Sequence, residues 1–225
     1  MALTTMAAAL VLAACTPATA GVNVGDTAPD FQLTAVDGKA YQLSEYAGKV
    51  VVLEWTCPNC PFVKRHNEEK TMAELVKKYP NVVFLSIDSS AKSQDYYMDP
   101  ATYQAVLKER GLVTPHLQDT TGEVGKMYDA KTTPHMFVVD EKGKVIYNGA
   151  IDSKKTTEVQ TSKDDVENYV DEALAAHFAG KTPGTVTDEA LRLQRQIRRR
   201  GAVEEKSSPT TSFPTRIDSV RCAGS

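Results

Sequence analysis

Apolar residues along the chain first alternate with polar ones and then form continuous runs. The alternation covers residues 31–49 and centres on the turn pair Asp37 and Gly38, which predicts a β-hairpin. A continuous apolar run follows at residues 50–53, and residues 81–88, NVVFLSID, are predominantly apolar and predict a second buried strand. Such runs are typical of strands that are covered on both faces. We therefore predict a hairpin followed by two buried strands.

Two helices are predicted next to these buried strands. Residues 60–78 follow a helical period clearly only in their second half, and Pro80 ends the segment. Residues 99–111 have Asp99 at the N-cap position and Gly111 just past the helix end. Each helix follows a buried strand, which gives two successive β–α units.

The pattern continues with a second group of elements and then stops. These are a short strand, a short helix, a hairpin and a longer helix, at residues 114–119, 122–130, 134–149 and 162–180. Ser162 with Asp165 caps the last helix, and Gly180 ends it. This order predicts an α/β fold with a mixed central β-sheet, helices on both faces and an N-terminal β-hairpin extension.

Composition and charge limit the organisation and the partners. The 225 residues suffice for one domain with a substantial core, and the net charge of −3 argues against a nucleic-acid partner. After Lys181 the periodicity fails, and an Arg-rich run leads into Ser-, Thr- and Pro-rich sequence. We predict one domain over residues 21–183 and a low-complexity, largely disordered tail over residues 184–225.

Residues 1–20 have the features of an export leader. An apolar stretch at residues 7–14 is too short to span a membrane. The sequence LAAC at residues 12–15 resembles a bacterial lipoprotein box, in which Cys15 would be lipidated, and ATA at residues 18–20 is a competing cleavage site. No Lys or Arg precedes the apolar stretch, which departs from the usual leader. We expect a protein of the periplasm, soluble or held at the membrane only by a lipid on Cys15.

Two of the four cysteines form a C-x-x-C pair. The cysteines are Cys15, Cys57, Cys60 and Cys222, too few for a disulfide scaffold in a chain of this length. Cys57 and Cys60 lie between a buried strand and a predicted helix. Helix N-termini favour the thiolate, and cysteines in such positions have pKa values of about 3.5 to 7.5. The spacing lets one sulfur attack a mixed disulfide on the other, so we predict a redox-active Cys57–Cys60 disulfide.

Metal binding is the alternative use of such a pair. Zinc would need two further ligands. The four histidines show no paired spacing; they are His66, His116, His135 and His177. Copper carriage by the two thiols and a histidine is a non-enzymatic alternative. We predict no bound metal and no other cofactor.

Three stretches resemble a known family. They are EWTCPNCPFVKRH, LSIDSSA and YDAKTTPHMFVVDEKGKVIYNGAID, and the resemblance that they carry covers about residues 25–181. They resemble the redoxin branch of the thioredoxin superfamily, whose members are described as alkyl hydroperoxide reductase or thiol-specific antioxidant-like. The resemblance implies a thioredoxin-like fold. It also implies that the Thr133–Pro134 bond is cis and that its loop binds the substrate beside Cys57 and Cys60.

The chain departs from its relatives around the cysteines. Close relatives often have Asn at the position of Cys57, so the constant cysteine of the family corresponds to Cys60. Peroxiredoxins have the pattern Pro-x-x-x-Thr-x-x-Cys, whereas here Cys57 occupies the threonine position and the proline is missing. Both differences argue against efficient activation of peroxide.

Five nearby side chains are candidates for supporting roles. Trp55 is expected to form a wall of the site, where it would contact the substrate. Glu54 is either a proton acceptor for the second thiol or a surface carboxylate at a strand edge. Lys64 and Arg65 either lower a thiol pKa or form a solvated helix face. His135 either tunes the site or packs within its loop.

The sequence therefore predicts a thiol–disulfide oxidoreductase whose partners are protein thiols and disulfides. A peroxiredoxin-like thiol peroxidase, with Cys60 attacking a peroxide, is the alternative.

The prolines allow two helix registers. With Cys57 as N-cap, Pro61 falls inside the first turn, whereas with Cys60 as N-cap it takes the first helical position without cost. Because the earlier cysteine of thioredoxins is the more exposed one, we predict that Cys57 attacks protein disulfides and that Cys60 resolves the mixed disulfide.

Overall fold

A computed structural model describes residues 21–159 and 166–181. The predicted leader and tail lie outside these ranges. The strands are β1 (Gln32–Ala35), β2 (Ala40–Gln42), β3 (Val51–Trp55), β4 (Val83–Asp88), β5 (His116–Gln118), β6 (His135–Val139) and β7 (Val145–Gly149). The helices are α1 (Pro61–Glu68), α2 (Thr71–Lys78), α3 (Pro100–Arg110), α4 (Glu123–Tyr128) and α5 (Tyr169–Phe178), and Leu43–Tyr46 forms a 3-10 turn.

The strands form one mixed sheet with the order β2-β1-β5-β4-β3-β6-β7. The central strands β3, β4 and β5 run parallel, and β1, β2, β6 and β7 pair antiparallel with their neighbours. Both predicted hairpins are present, as β1–β2 and β6–β7. The predicted α/β fold with a mixed sheet and an N-terminal hairpin extension is confirmed.

Two apolar clusters cover the two faces of the sheet. The first includes Leu53 and Trp55 of β3 with Tyr128 of α4. The second includes Val52 of β3 with Leu75 of α2, together with Leu174 of α5. Because side chains alternate along a strand, neighbouring residues of β3 face opposite layers. Glu54 therefore lies on the same face as Val52, and Trp55 lies on the other.

The helix boundaries confirm some cap predictions and correct others. Asp99 accepts hydrogen bonds from two amides of the first turn of α3, and Gly111 ends that helix with φ of 63°. The segment predicted at residues 60–78 forms two helices, because Lys70 takes a left-handed conformation with φ of 56°. The last helix starts later than predicted, with Asn168 as N-cap. Ser162, the expected cap, lies outside the described residues.

The segment after the predicted leader runs along the β6–β7 hairpin. The Gly25 amide donates to Val145 O at 2.8 Å, and the Val145 amide donates to Asp26 O at 3.0 Å. The Ala28 amide donates to Gly143 O at 2.9 Å. These bonds occupy backbone groups on the outer side of β7.

We predict that the attachment of α5 depends on Val170. This side chain is 0% exposed within the second apolar cluster, so Val170→Ala should lower the free energy of unfolding by about 2 kcal/mol through lost burial and a residual cavity. Urea unfolding measures the change. The matched substitution Val113→Ala, at a side chain that is 58% exposed, should change stability little. Equal effects at both positions would contradict the packing described for α5.

Candidate redox site

The two cysteines lie in the short loop between β3 and α1. Cys60 is the N-cap of α1, with Pro61 at the first helical position. The Lys64 amide donates to Cys60 O at 2.9 Å as the first helical bond, and the Cys60 amide donates to Cys57 O at 3.0 Å. Since a proline has no amide hydrogen to donate, it fits the first turn without loss of a bond. Of the two predicted registers, the structure has the one with Cys60 as N-cap.

The loop before β6 brings the second predicted element of the site to Cys60. The Thr133–Pro134 bond is cis, as expected. The thiol of Cys60 donates a hydrogen bond to Thr133 O, with Sγ and the oxygen 3.1 Å apart. The Cys57–Cys60 disulfide stays a prediction for the oxidised protein.

Both cysteines are covered by apolar side chains. Cys57, Cys60 and Val63 form a small cluster, with Phe62 and Tyr96 packed against it. The two cysteines are each 1% exposed, so exposure does not single out Cys57 as we had expected. Tyr96 lies in the connection between β4 and α3. Its position was not predicted, because that connection has no periodic pattern.

Arg110, at the end of α3, also contacts the cysteine loop. Its Nη1 donates to Pro58 O at 2.8 Å. Pro58 lies between the two cysteines, so this bond holds the loop from the side of α3. The contact joins residues 52 positions apart in sequence, and the helical pattern of α3 contained no signal for it.

Trp55 is part of the core, which corrects the expectation that it forms a wall of the site. Its side chain is 0% exposed, and its ring lies 5.0 Å from that of Tyr128 and 5.3 Å from that of Phe137. Its Nε1 donates to Ser89 Oγ at 3.2 Å. Trp55 faces α4, which buries it, whereas the preceding residue Glu54 faces the other side of the sheet. A substrate therefore does not reach the Trp55 ring in this conformation.

Glu54 is buried, so the alternative of a surface carboxylate is wrong. Its Oε2 accepts a hydrogen bond from Ser86 Oγ at 2.7 Å. Burial raises the pKa of the Glu54 carboxyl from 4.5 to about 7, although the bond from Ser86 acts in the opposite direction. Glu54 lines a cavity of about 370 Å³ together with Thr56, which directly precedes Cys57. The buried carboxyl and the cysteine loop thus border one cavity.

His135 is the first residue of β6, directly after Pro134, and its side chain is packed against neighbouring residues. Its Nε2 donates to Asn148 Oδ1 at 2.8 Å, and its ring lies 4.7 Å from the Phe137 ring. Burial lowers the pKa of His135, so the ring is neutral at physiological pH. Among the described residues, its Nδ1 and the Thr133 hydroxyl are buried without a hydrogen-bond partner. The structure therefore shows packing and leaves a tuning role for His135 as a hypothesis.

Arg65 is buried, which corrects its expected place on a solvated face or beside a thiol. It donates to Asp152 at 2.9 Å and 3.0 Å, and to Glu69 Oε2 at 3.4 Å. Its Nη2 lies 2.8 Å from His66 Nε2. Burial and the adjacent guanidinium lower the pKa of His66 to about 3, so that nitrogen accepts the bond.

The same cluster is the candidate metal site among the described residues. His66, Glu69 and Asp152 place one ligand atom each within 4.8 Å of one another. However, the guanidinium of Arg65 already bonds these three side chains and supplies the positive charge. A metal ion would have to displace a buried arginine, so the residues present fit an ion-pair cluster better than a metal centre.

The chain is similar in sequence to proteins of known type. A thiol-disulfide oxidoreductase ResA from Geobacillus kaustophilus is 29% identical over 153 residues, 67% of this chain and 78% of that protein. A selenocysteine-containing peroxiredoxin PrxU from Peptoclostridium acidaminophilum is 33% identical over 114 residues, 48% of this chain and 54% of that protein.

A solved structure and a family model extend this similarity. The crystal structure of an uncharacterised conserved protein from Geobacillus kaustophilus superposes with a TM-score of 0.63 and 30% identity, over 71% of this chain and 84% of that one. The model of the Redoxin family matches residues 23–169. With its thioredoxin-like fold, the chain belongs to the Redoxin family, in the redoxin branch of the thioredoxin superfamily, and is an oxidoreductase.

Proposed function

We propose that the protein is an exported thiol–disulfide oxidoreductase that exchanges electrons with protein disulfides through Cys57 and Cys60. One observation carries the proposal: the Cys60 thiol lies at a helix start, 3.1 Å from the carbonyl that precedes cis-Pro134. Cys57 lies three residues earlier, and its carbonyl accepts the Cys60 amide at 3.0 Å. Cysteines at this spacing can resolve a mixed disulfide. The similarity to ResA, a thiol-disulfide oxidoreductase, supports the same reaction.

The proposed reaction has two exchange steps. The Cys57 thiolate attacks one sulfur of the partner's disulfide, forms a mixed disulfide and releases the other partner sulfur as a thiolate, which takes up a proton. Cys60 then loses its proton and attacks the Cys57 sulfur, which releases the second partner thiol. The partner gains two electrons and two protons, and Cys57 and Cys60 form a disulfide.

The residues around the pair have supporting roles in this proposal. Thr133 and Pro134 lie beside the Cys60 sulfur and bind the substrate backbone, as the family resemblance implies. Glu54 accepts the proton that Cys60 loses in the second step. Its burial on the α1 side of the sheet supports this role, since a carboxyl with a raised pKa can hold a proton near neutral pH.

A thiol peroxidase is the second candidate function. The specific observation in its favour is the helix register: Cys60 is the N-cap and Pro61 follows it. By the family resemblance, Cys60 corresponds to the reactive cysteine of peroxiredoxins, which is also followed by a proline. In this reaction the Cys60 thiolate takes one oxygen from a hydroperoxide, which leaves as an alcohol or water after protonation. The Cys60 sulfenic acid then condenses with the Cys57 thiol, releasing water and forming the disulfide. The similarity to the peroxiredoxin PrxU is consistent with it.

Export is proposed from the leader of the sequence. The apolar stretch and the LAAC box that ends at Cys15 support lipidation at that cysteine. In the part of the chain that the structure describes, no helix is long and apolar enough to cross a bilayer. In this proposal, a lipid on Cys15 holds the enzyme at the periplasmic face of a bacterial membrane.

We predict that Cys60→Ser accumulates mixed disulfides with partner proteins, because Cys57 can still attack and nothing resolves the product. Cys57→Ser should accumulate about tenfold less. Non-reducing electrophoresis followed by mass spectrometry of the trapped species measures both, with the Cys57→Ser/Cys60→Ser double variant as the control. The opposite order would assign the attack to Cys60 and favour the peroxidase.

We predict that Glu54 destabilises the fold as the pH rises. The folded carboxyl has a pKa of about 7 against 4.5 when unfolded, so the folded state binds the extra proton between these values. Stability should therefore fall from pH 4.5 to 7 and stay constant above, with a total loss of about 3 kcal/mol. Glu54→Gln should remove this loss, because its amide carbonyl still accepts the Ser86 bond.

The measurement is the difference in urea unfolding free energy between Glu54→Gln and the wild type, taken from pH 4.5 to 8. The exposed Glu109, on the same cavity, provides the matched control Glu109→Gln. A difference that does not change with pH would show that Glu54 has no raised pKa.

We predict that mature protein from its native host partitions into detergent through a lipid on Cys15. Cys15→Ser should move it to the aqueous phase, since removal of the acyl chains removes the membrane affinity. Triton X-114 partition and mass spectrometry of the N-terminus measure this. A free N-terminus at Gly21 would instead indicate cleavage at the ATA site and a soluble periplasmic enzyme.

A further inference from the structure

A row of polar side chains crosses the sheet next to the cavity that Glu54 lines. Glu54 of β3 is the register partner of Ser86 of β4, which is in turn the partner of His116 of β5. Register partners point to the same face, so these three side chains lie side by side. Thr114, just before β5, and Tyr103 of α3 complete the row. All but Thr114 are buried.

Hydrogen bonds join the five side chains into one continuous hydrogen-bonded series. Ser86 Oγ lies 2.7 Å from Glu54 Oε2 and 2.8 Å from Thr114 Oγ1. His116 Nε2 lies 3.4 Å from Thr114 Oγ1, and His116 Nδ1 lies 3.1 Å from the Tyr103 hydroxyl. The longest of these hydrogen bonds joins Thr114 to His116, and the two shortest are those that Ser86 makes.

When Glu54 is ionised, the number of protons on each group determines which group donates in each hydrogen bond of this series. Ser86 has a single proton and donates it to the carboxylate, so Thr114 must donate to Ser86. Thr114 then accepts from His116 Nε2, and His116 Nδ1 accepts from Tyr103. Burial lowers the pKa of His116 to about 3, which keeps the ring neutral with only one N–H, as this arrangement requires.

Thr114 is the point at which the series meets solvent. It is half-buried and lines the cavity of about 370 Å³, as Glu54 and His116 do, as well as a second cavity on the side of α3. Glu54 itself is buried beneath this surface. The hydroxyls of Ser86 and Thr114 thus connect a buried carboxyl to a water-accessible position through two short bonds.

We propose that Ser86 and Thr114 form a hydroxyl relay that carries protons between the Glu54 carboxyl and solvent during turnover. The relay rests on the proposed function, in which Glu54 receives a proton from the Cys60 thiol. It adds the route by which that proton reaches solvent.

The relay conserves protons at each hydroxyl. After Glu54 is protonated, the two hydroxyls rotate so that Ser86 donates to Thr114 and Thr114 donates to water in the cavity. The Glu54 proton then passes to Ser86 Oγ, the Ser86 proton to Thr114 Oγ1, and the Thr114 proton to water or buffer. Each hydroxyl loses one proton and gains one, and the carboxylate is restored in its first orientation.

The titratable groups that face Glu54 do not replace the two hydroxyls. Those on the cavity come from α1 and its end, from α3 and from β5; they are His66, Lys70, Lys108, Glu109, Arg110 and His116. The pKa values of His66 and His116 are about 3, too low for either ring to hold a proton at neutral pH. Arg110 is bonded to Pro58 O. The group that donates a hydrogen bond to the Glu54 carboxyl is the Ser86 hydroxyl, at 2.7 Å.

Thr114→Val tests the relay, because valine has the shape of threonine without the hydroxyl. In dilute buffer the turnover of protein disulfides should fall about tenfold, a part of what general acid–base catalysis contributes. Raising the concentration of imidazole, which the cavity can admit, should restore it. Ser86→Ala interrupts the relay at its other hydroxyl and should show the same dependence on buffer. Thr114→Ser keeps a hydroxyl and should show none.

The controls separate the relay from other causes. Thr34→Val, the same substitution at an exposed threonine of β1, should leave turnover unchanged. A loss in Thr114→Val that imidazole does not relieve would indicate a structural role and overturn the relay. The relay would also be overturned if Thr114→Val turned over as fast as the wild type in dilute buffer. Protons would then leave Glu54 directly through the cavity. Failure of the proposed function itself would appear separately, as a lack of trapped partner in both single-cysteine variants.

Discussion

The missing amide hydrogen of Pro61 constrains the arrangement of Cys57 and Cys60. A helix can begin at Pro61 without loss, so Cys60 becomes the N-cap and its sulfur is directed toward the cis-Pro134 loop rather than into the helix. Cys57 is then left in the four-residue connection between β3 and this N-cap. The distance of 3.1 Å between the Cys60 sulfur and Thr133 O follows from this register, as does the approach of Arg110 to Pro58.

The buried polar groups near α1 and the cysteine loop form two sets with different physical roles. Arg65, Glu69, Asp152 and His66 form a charged cluster that fixes α1 to the chain after β7. Such a cluster adds little net stability, but removing one partner leaves a buried charge and is costly. The row from Glu54 to Tyr103 contains one ionisable acid among neutral groups. It can therefore change its protonation state without breaking an ion pair.

The sequence predicted the elements well and the environments of single residues less well. Alternation and apolar runs identified β3, β4 and both hairpins, and the caps Asp99 and Gly111 marked α3 to the residue. Alternation does not tell which face a helix will cover, so Trp55 was expected at the site although α4 buries it. Arg65 was expected on a solvated helix face or beside a thiol, because its partner Asp152 is 87 residues away in sequence. For Cys57 and Cys60 the spacing suggested the redox chemistry that we propose, whereas two helix registers were open until the structure was known.

The pairing of residues 25–28 with the β6–β7 hairpin has a consequence for behaviour at high concentration. A bare strand at the end of a sheet is a template on which another copy of the chain can add a strand. Here the amide and carbonyl of Val145 are already bonded to Asp26 and Gly25. At Val145, the first residue of β7, the N-terminal segment therefore blocks edge-to-edge pairing with another copy of the chain.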